Sequence, residues 1–245
     1  MKSFAPIILG VIFFGGFGTL CIVWAVVTLG RGEYLTAITV LGFAGFCFSP
    51  VVASMIVKSG RVTARGTFDG AGTVIRQDRR VELLTLGFLF AGVIGMGLFA
   101  IFWPLGKLDI PVPHSFRYSL PFMSAAGAVM GALGLWRAFG RGERGYLRLT
   151  PQGFEISNAS PSCGEWAQVK DVADRAPGKP VPATKSIVMV MADGQTPTLA
   201  AGSYTPGGEA LREMVRFYWQ HPEHRQELAD GRALTRLSSY TFKAD

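Results

Sequence analysis

Long uncharged runs alternate with short charged segments over the first half of the chain. No charged residue occurs from Phe4 to Leu29 or from Leu35 to Val57, and two further largely apolar runs follow. A helix needs about 20 mostly apolar residues to cross the hydrocarbon core of a bilayer. The pattern therefore predicts four membrane-spanning helices, at about 4–29, 34–57, 81–105 and 119–139.

The polar segment Lys58–Glu82 separates the second predicted span from the third. It holds two short β-favouring runs on either side of the glycine-rich turn Asp69–Gly72, which predicts a β-hairpin over 61–76. An isolated hairpin is only marginally stable in water. We therefore expect this hairpin to pack on another part of the protein, and the C-terminal domain is the obvious candidate.

The pattern changes after Gly145 to short runs of alternating or continuous apolar residues, which predict a soluble α+β domain. Strands are expected at 146–150, 154–157, 166–172, 187–191 and 196–200. Leu211, Met214, Val215 and Tyr218 share one helical face, which predicts a helix over 209–220. A second helix is expected at about 222–230, and the residues after it are expected to lack regular structure.

Two strings in this domain carry a resemblance to a known family. Tyr146-Leu-Arg-Leu-Thr-Pro-Gln-Gly-Phe-Glu-Ile156, followed by Trp166-x-x-Val-x-x-Val172, resembles the opening strands of bacterial pleckstrin-homology-like (PH-like) domains. The resemblance implies about seven strands closed by one helix, fusion to membrane helices, and a scaffold or interaction role. Only five strands are expected after Gly145, so the hairpin at 61–76 could supply the missing two. The whole layout also resembles multi-pass actinobacterial membrane proteins of unassigned function.

The expected fold class is thus a membrane α-helical bundle of four spans plus a cytoplasmic α+β domain. That domain is expected to be a PH-like antiparallel β-barrel or sandwich with C-terminal helices. The chain divides into a transmembrane hairpin (1–57), a β-hairpin loop (58–80), a second transmembrane hairpin (81–140) and the PH-like domain (141–245).

Basic residues collect at one set of helix ends, and the net charge is +7. The 58–82 loop and the segment after the fourth span are rich in Lys and Arg, whereas the opposite side holds only Arg31, Lys107 and Arg117. Because Lys and Arg accumulate in cytoplasmic loops, we expect both termini in the cytoplasm and the protein in the plasma membrane. Basic residues are not interleaved with aromatics on the soluble segment, so no nucleic-acid partner is expected.

The same basic residues have two interpretations. They could serve only to orient and anchor the helices, or they could bind anionic lipid headgroups as a juxtamembrane basic pocket. The candidate lipid contacts are Lys58, Arg61, Arg65, Arg76, Arg79, Arg80, Arg137, Arg141 and Arg144. Arg148 belongs to the same group of basic residues near the ends of the predicted spans.

Glycines recur in the predicted spans, and Gly127-x-x-x-Gly131 is the clearest pair for close helix packing. Packing within one bundle and a homodimer face are both open. The spans hold no internal ionisable residue between their ends, which argues against a secondary transporter or a proton-coupled pump and leaves an uncharged conduit open.

No catalytic, metal or cofactor site is predicted. His221-Pro-Glu-His224 lacks a third metal ligand, Cys163 has no nearby histidine, and Asp69–Gly72 is not followed by the Lys-Ser/Thr of a phosphate loop. The favoured hypothesis is a non-enzymatic scaffold or interaction protein with the lipid bilayer and a membrane protein as partners. A transport or channel component is the alternative, and a membrane-embedded enzyme acting on lipid comes third.

Overall fold

The computed structural model describes residues 5–140, 145–158, 161–175, 186–240 and 242. These residues form two compact units. Residues 5–54 and 83–140 make up what we call the helix unit. Residues 55–82 and the described residues after 144 make up what we call the sheet unit.

Four long helices dominate the chain before residue 141. They are α1 (Ala5–Gly30), α2 (Tyr34–Lys58), α3 (Arg79–Phe102) and α4 (Ser119–Gly140). All four are long and apolar enough to cross a membrane, which confirms the prediction of four apolar helices to within a few residues at each end. Pro50 lies inside α2, where it removes one backbone donor from the helix.

Glycines set the closest approach of helices in the helix unit. A Cβ atom added to Gly42 of α2 would lie 2.7 Å from the Gly95 Cα of α3, so the two backbones touch there. Gly127 and Gly131 of α4 instead face side chains of α3, namely those of Met96 and Val93. The α4 glycine pair is therefore used in packing within one chain.

The sheet unit contains two antiparallel sheets whose strands follow one another in chain order. The first sheet is β1 (Arg65–Phe68), β2 (Thr73–Arg76), β3 (Tyr146–Leu149), β4 (Gly153–Ser157) and β5 (Ser162–Glu165). The second is β6 (Val169–Ala173), β7 (Ile187–Met191) and β8 (Thr198–Leu199).

The hairpin between α2 and α3 is part of the first sheet. Strand β2 pairs antiparallel with β3, with Ile75 opposite Leu147 and Thr73 opposite Leu149. Ile75 and Leu147 are completely buried. The question that the sequence left open is thus answered: the hairpin pairs with the first strand after Gly145.

Three helices complete the sheet unit: α5 (Glu209–Gln220), α6 (Glu227–Asp230) and α7 (Arg232–Ser239). The predicted apolar face of α5 is buried in the core, as Leu211, Met214, Val215 and Tyr218 show. Trp166 is buried in the same core, and its indole N–H donates a hydrogen bond to the Thr150 carbonyl at 2.8 Å.

Several local predictions in the C-terminal region were wrong. Strand β5 was not predicted, because Ser162–Glu165 has no apolar alternation and pairs only by its backbone. Residues 166–168 form a 3-10 turn before β6 rather than the start of the strand. The predicted helix at 222–230 is a 3-10 turn followed by the short α6.

The residues after 230 were expected to lack regular structure, yet they form α7. Ala233 and Leu237 are buried, and Leu234 packs so closely on β1 that a Cβ added to Gly66 would overlap it. Tertiary contact with the hairpin, which no local pattern encodes, stabilises this helix.

We predict that Gly42→Ala destabilises the protein more than Gly127→Ala. The added methyl group meets the rigid backbone of α3 at Gly42, but meets the flexible side chain of Met96 at Gly127. An overpacked contact of the first kind costs about 1–3 kcal/mol. Thermal unfolding in a mild detergent measures the difference.

Gly15→Ala is the matched control, because nothing lies within 4 Å of a Cβ at Gly15. Equal melting temperatures for the Gly42, Gly127 and Gly15 variants would contradict the packing described above.

Candidate anionic-lipid interface

Six predicted lipid contacts lie where the hairpin joins the helices. Lys58 ends α2, Arg65 begins β1, Arg76 ends β2, and Arg79 begins α3. All six are exposed. We call this set the basic rim: Lys58, Arg61, Arg65, Arg76, Arg79 and Arg80.

Two arginines of the basic rim face each other across the hairpin. Arg65 and Arg76 are directly opposed in the β1–β2 register, so their side chains leave the same face of the sheet. Like charges in this arrangement repel each other. Arg65 also lies 3.6 Å from the Glu82 carboxylate, which offsets one of the two charges. An anionic group bound between the arginines would stabilise the arrangement further.

Most of the basic rim lacks an acidic partner. Among the residues that the structure describes, none forms an ion pair with Lys58, Arg61, Arg76, Arg79 or Arg80. Arg148 differs, because its guanidinium lies 2.6 Å from the Asp69 carboxylate. Asp69 also accepts hydrogen bonds from the N–H groups of Ala71 and Gly72 in the hairpin turn. Arg148 is therefore engaged within the domain, whereas the five cations of the basic rim other than Arg65 are available to bind an external anion.

Asp78 holds the basic rim in place. Its carboxylate accepts hydrogen bonds from the Thr63 N–H, the Thr63 hydroxyl and the Arg80 N–H, each at 2.7 Å. Its own N–H donates to the Ser203 carbonyl at 3.0 Å. The buried carboxylate thus joins the segment before β1 to the first turn of α3 and ties both to the C-terminal part of the domain.

The pKa of Asp78 reflects two opposing effects. Burial by itself raises the pKa of the carboxyl group, but the hydrogen bonds from Thr63, Arg80 and Val81 favour the charged form. These bonds prevail, and the pKa of Asp78 is lowered from its ordinary value. The sequence suggested Asp78 only as one of the polar groups that a lipid-acting enzyme would need, and its capping role was missed, although an aspartate directly before an apolar helix is a recognised N-cap signal.

Three further predicted contacts lie outside the sheet-unit residues that the structure describes. Arg137 is exposed near the end of α4, in the helix unit. Arg141 and Arg144 lie outside the residues that the structure describes.

The two C-terminal histidines belong to a hydrogen-bonded cluster of the sheet unit. His221 Nδ1 lies 3.0 Å from Glu223, and His224 Nδ1 lies 3.3 Å from the buried Glu227. Arg236 binds Glu227 through two nitrogens, at 2.6 and 3.0 Å. Within the described parts of the chain, no group of three or more His, Cys, Asp or Glu side chains is placed to hold a metal ion.

Comparison with known proteins gives no further identification: no protein-family model, curated protein or solved structure matches the chain.

We predict that Asp78→Ala destabilises the protein by about 2 kcal/mol at neutral pH, because it removes a helix cap and two hydrogen bonds to Thr63. Since the folded-state pKa is lowered, the carboxylate stabilises the fold above its unfolded pKa of about 3.9. This stabilisation is lost as the pH falls through the lower folded-state pKa. The stability gap between wild type and variant should therefore narrow below about pH 4.

Thermal unfolding in detergent across this pH range measures the gap. Asp171→Ala removes an exposed carboxylate of β6 and serves as the control, with little effect expected. A gap between wild type and Asp78→Ala that stays constant down to pH 3 would contradict the assigned role of the carboxylate.

Proposed function

We propose that this chain is a multi-pass membrane protein whose sheet unit is a PH-like interaction module on the cytoplasmic side of the plasma membrane. The four apolar helices span the bilayer, and the basic rim contacts anionic headgroups. The module then presents its remaining surface to a membrane protein partner. The role is binding and scaffolding rather than catalysis.

The β2–β3 pairing supports insertion of α3 and α4 as a pair. Arg76 and Tyr146 are directly opposed in that pairing, and α3 and α4 lie between them in the chain. The chain must therefore cross a bilayer an even number of times between these two residues. Two helices long enough to span satisfy this condition, and large apolar side chains such as Phe122 and Met130 of α4 are available to face lipid, being 78% and 69% exposed.

The strand arrangement supports a PH-like fold. Antiparallel strands follow in chain order through two sheets and end in the amphipathic helix α5. The residues that carry the resemblance form β3 and β4 and supply the buried Trp166. The described residues form eight strands, rather than about seven, and these strands and the additional α6 and α7 are departures from the pattern that the resemblance implies.

Headgroup binding rests on the position and exposure of the basic rim, which is the observation that carries the proposal. These exposed cations lie within a few residues of the ends of two candidate spans. Each Lys or Arg near an anionic membrane surface contributes about 1 kcal/mol of attraction. Transport is the alternative function; the contact of Gly42 with Gly95 closes the space between α2 and α3 at that level.

We predict that Cys163 reports the side of the membrane on which the sheet unit lies. Cys163 is exposed, whereas Cys21 and Cys47 are buried. A membrane-impermeant maleimide should label Cys163 only after the cells are permeabilised, because the proposal places it in the cytoplasm. Mass-shift labelling of intact and permeabilised cells measures this.

Ser115→Cys in a Cys163→Ser background provides the opposite reporter, because Ser115 lies exposed between α3 and α4. It should be labelled in intact cells. Labelling of Cys163 without permeabilisation would overturn the orientation, and labelling of both reporters from one side would overturn the spans.

We predict that Arg65→Gln with Arg76→Gln lowers the preference for phosphatidylglycerol over phosphatidylcholine about thirtyfold, since two interfacial charges worth about 1 kcal/mol each are lost. The full chain is reconstituted in phosphatidylcholine, and spin-labelled lipids report the relative affinity of each headgroup. The preference of wild type should also weaken as salt is added.

Lys170→Gln with Arg175→Gln is the matched control. It removes two exposed cations of the sheet unit that lie outside the basic rim and should leave the preference nearly unchanged. If both double variants lose the preference equally, only overall charge matters, and the basic rim is not a lipid site.

A further inference from the structure

A second candidate site lies wholly within the helix unit and shares no residue with the basic rim. An open cleft of about 740 Å³ is bounded by the C-terminal end of α3, the loop that follows it and the N-terminal end of α4. This volume is in the range of ligand-binding pockets. Ala100, Trp103, Ile110 and Phe122 give the cleft an apolar wall.

The loop that closes the cleft is held by hydrogen bonds to α1, to α2 and to the residue that directly follows α3. The Trp103 indole donates to the Ile110 carbonyl at 3.1 Å, and the Trp24 indole donates to the Asp109 carbonyl at 2.9 Å. The Asp109 N–H donates to the Thr36 hydroxyl at 3.2 Å. The cleft is therefore formed before a ligand arrives, which lowers the entropic cost of binding.

Two basic side chains lie at the edge of this cleft. His114 and Arg117 line it and are exposed, and none of the described residues that line it is acidic. Arg117 precedes the first turn of α4 by two residues, where the helix dipole adds positive potential. Among the described residues, no carboxylate forms an ion pair with Arg117.

The neighbouring cations at this end of the helices are placed differently. Arg31 lies 3.2 Å from the Asp109 carboxylate, and Lys107 lines a separate depression together with Glu33 and Asp109. Arg117 is thus the cation that remains available beside the apolar cleft.

We propose that this cleft binds an anionic phospholipid, with the phosphate on Arg117 and an acyl chain on the apolar wall. Charge complementarity selects the anion, and the apolar wall selects a ligand with a tail. Tyr118 and Phe122 at the mouth of the cleft are 80% and 78% exposed, and the acyl chain would cover them. The inference rests on the proposed insertion of α3 and α4 and is independent of the lipid contacts of the basic rim. In the proposed topology the lipid comes from the extracytoplasmic leaflet.

The test uses the full chain in a non-ionic detergent, with native mass spectrometry of bound phosphatidylglycerol, phosphatidylcholine or inorganic phosphate. Wild type should bind phosphatidylglycerol with a clear preference over phosphatidylcholine. Loss of one contacting charge in Arg117→Gln should weaken that binding about fivefold to tenfold. Ala125→Trp, which fills the mouth of the cleft, should weaken binding of the same lipid while the protein stays folded.

Lys107→Gln is the matched control, because it removes a cation from the same loop but outside the cleft, and it should change the affinity less than twofold. Equal losses in the Arg117 and Lys107 variants would overturn the proposal. So would phosphatidylcholine binding as tightly as phosphatidylglycerol, or displacement of the lipid by inorganic phosphate alone.

The Arg65→Gln and Arg76→Gln double variant separates the two lipid sites. It should lose the binding that depends on the basic rim and keep the binding that Arg117 controls. If the cleft proposal fails while the basic rim still binds lipid, the proposed function stands. If Cys163 is labelled in intact cells and Ser115→Cys is not, the proposed topology itself is wrong.

Discussion

The antiparallel pairing of β2 with β3 is the contact on which the rest of the architecture depends. It joins Thr73–Arg76, which lies between α2 and α3, to Tyr146–Leu149, which follows α4. Ile75 and Leu147 bury this junction completely, so that the hairpin and the C-terminal strands share one hydrophobic core. The ends of the intervening helices must then return to the same domain, which is why the proposed topology has an even number of crossings.

The two units depend on different physical forces. In the sheet unit, burial of large side chains around Trp166, Leu211 and Tyr218 provides the hydrophobic stabilisation expected in water. In the proposed membrane-inserted state, lipid is as apolar as the side chains of the helix unit, so its helices would associate by close packing. The contact of Gly42 with Gly95, where two backbones meet, follows from that difference. Within the sheet unit, hydrogen bonds to the single carboxylate of Asp78 hold the segment before β1 and the first turn of α3 together.

The arginines of the chain differ by what surrounds them rather than by their charge. Arg148 and Arg31 each face an aspartate, Asp69 and Asp109 respectively. Arg76 and Arg117 have no such partner among the described residues and lie beside regions that lipid would cover. The proposed headgroup contacts on both sides of the membrane rest on this distinction, which only the three-dimensional arrangement reveals.

The sequence by itself determined the four apolar helices and most of the strands, because hydrophobic runs and their periodicity depend on neighbouring residues alone. It also indicated the polar hairpin and the basic residues around it. Strand β5, helix α7 and the role of Asp78 came only from the tertiary structure. Ser162–Glu165 has no apolar pattern and is held by backbone pairing with β4, while α7 is stabilised by packing on β1. Contacts between residues far apart in the chain decided these features. They also decided that Gly42 and Gly95, rather than Gly127 and Gly131, bring two helix backbones together, and which arginines have no acidic partner among the described residues.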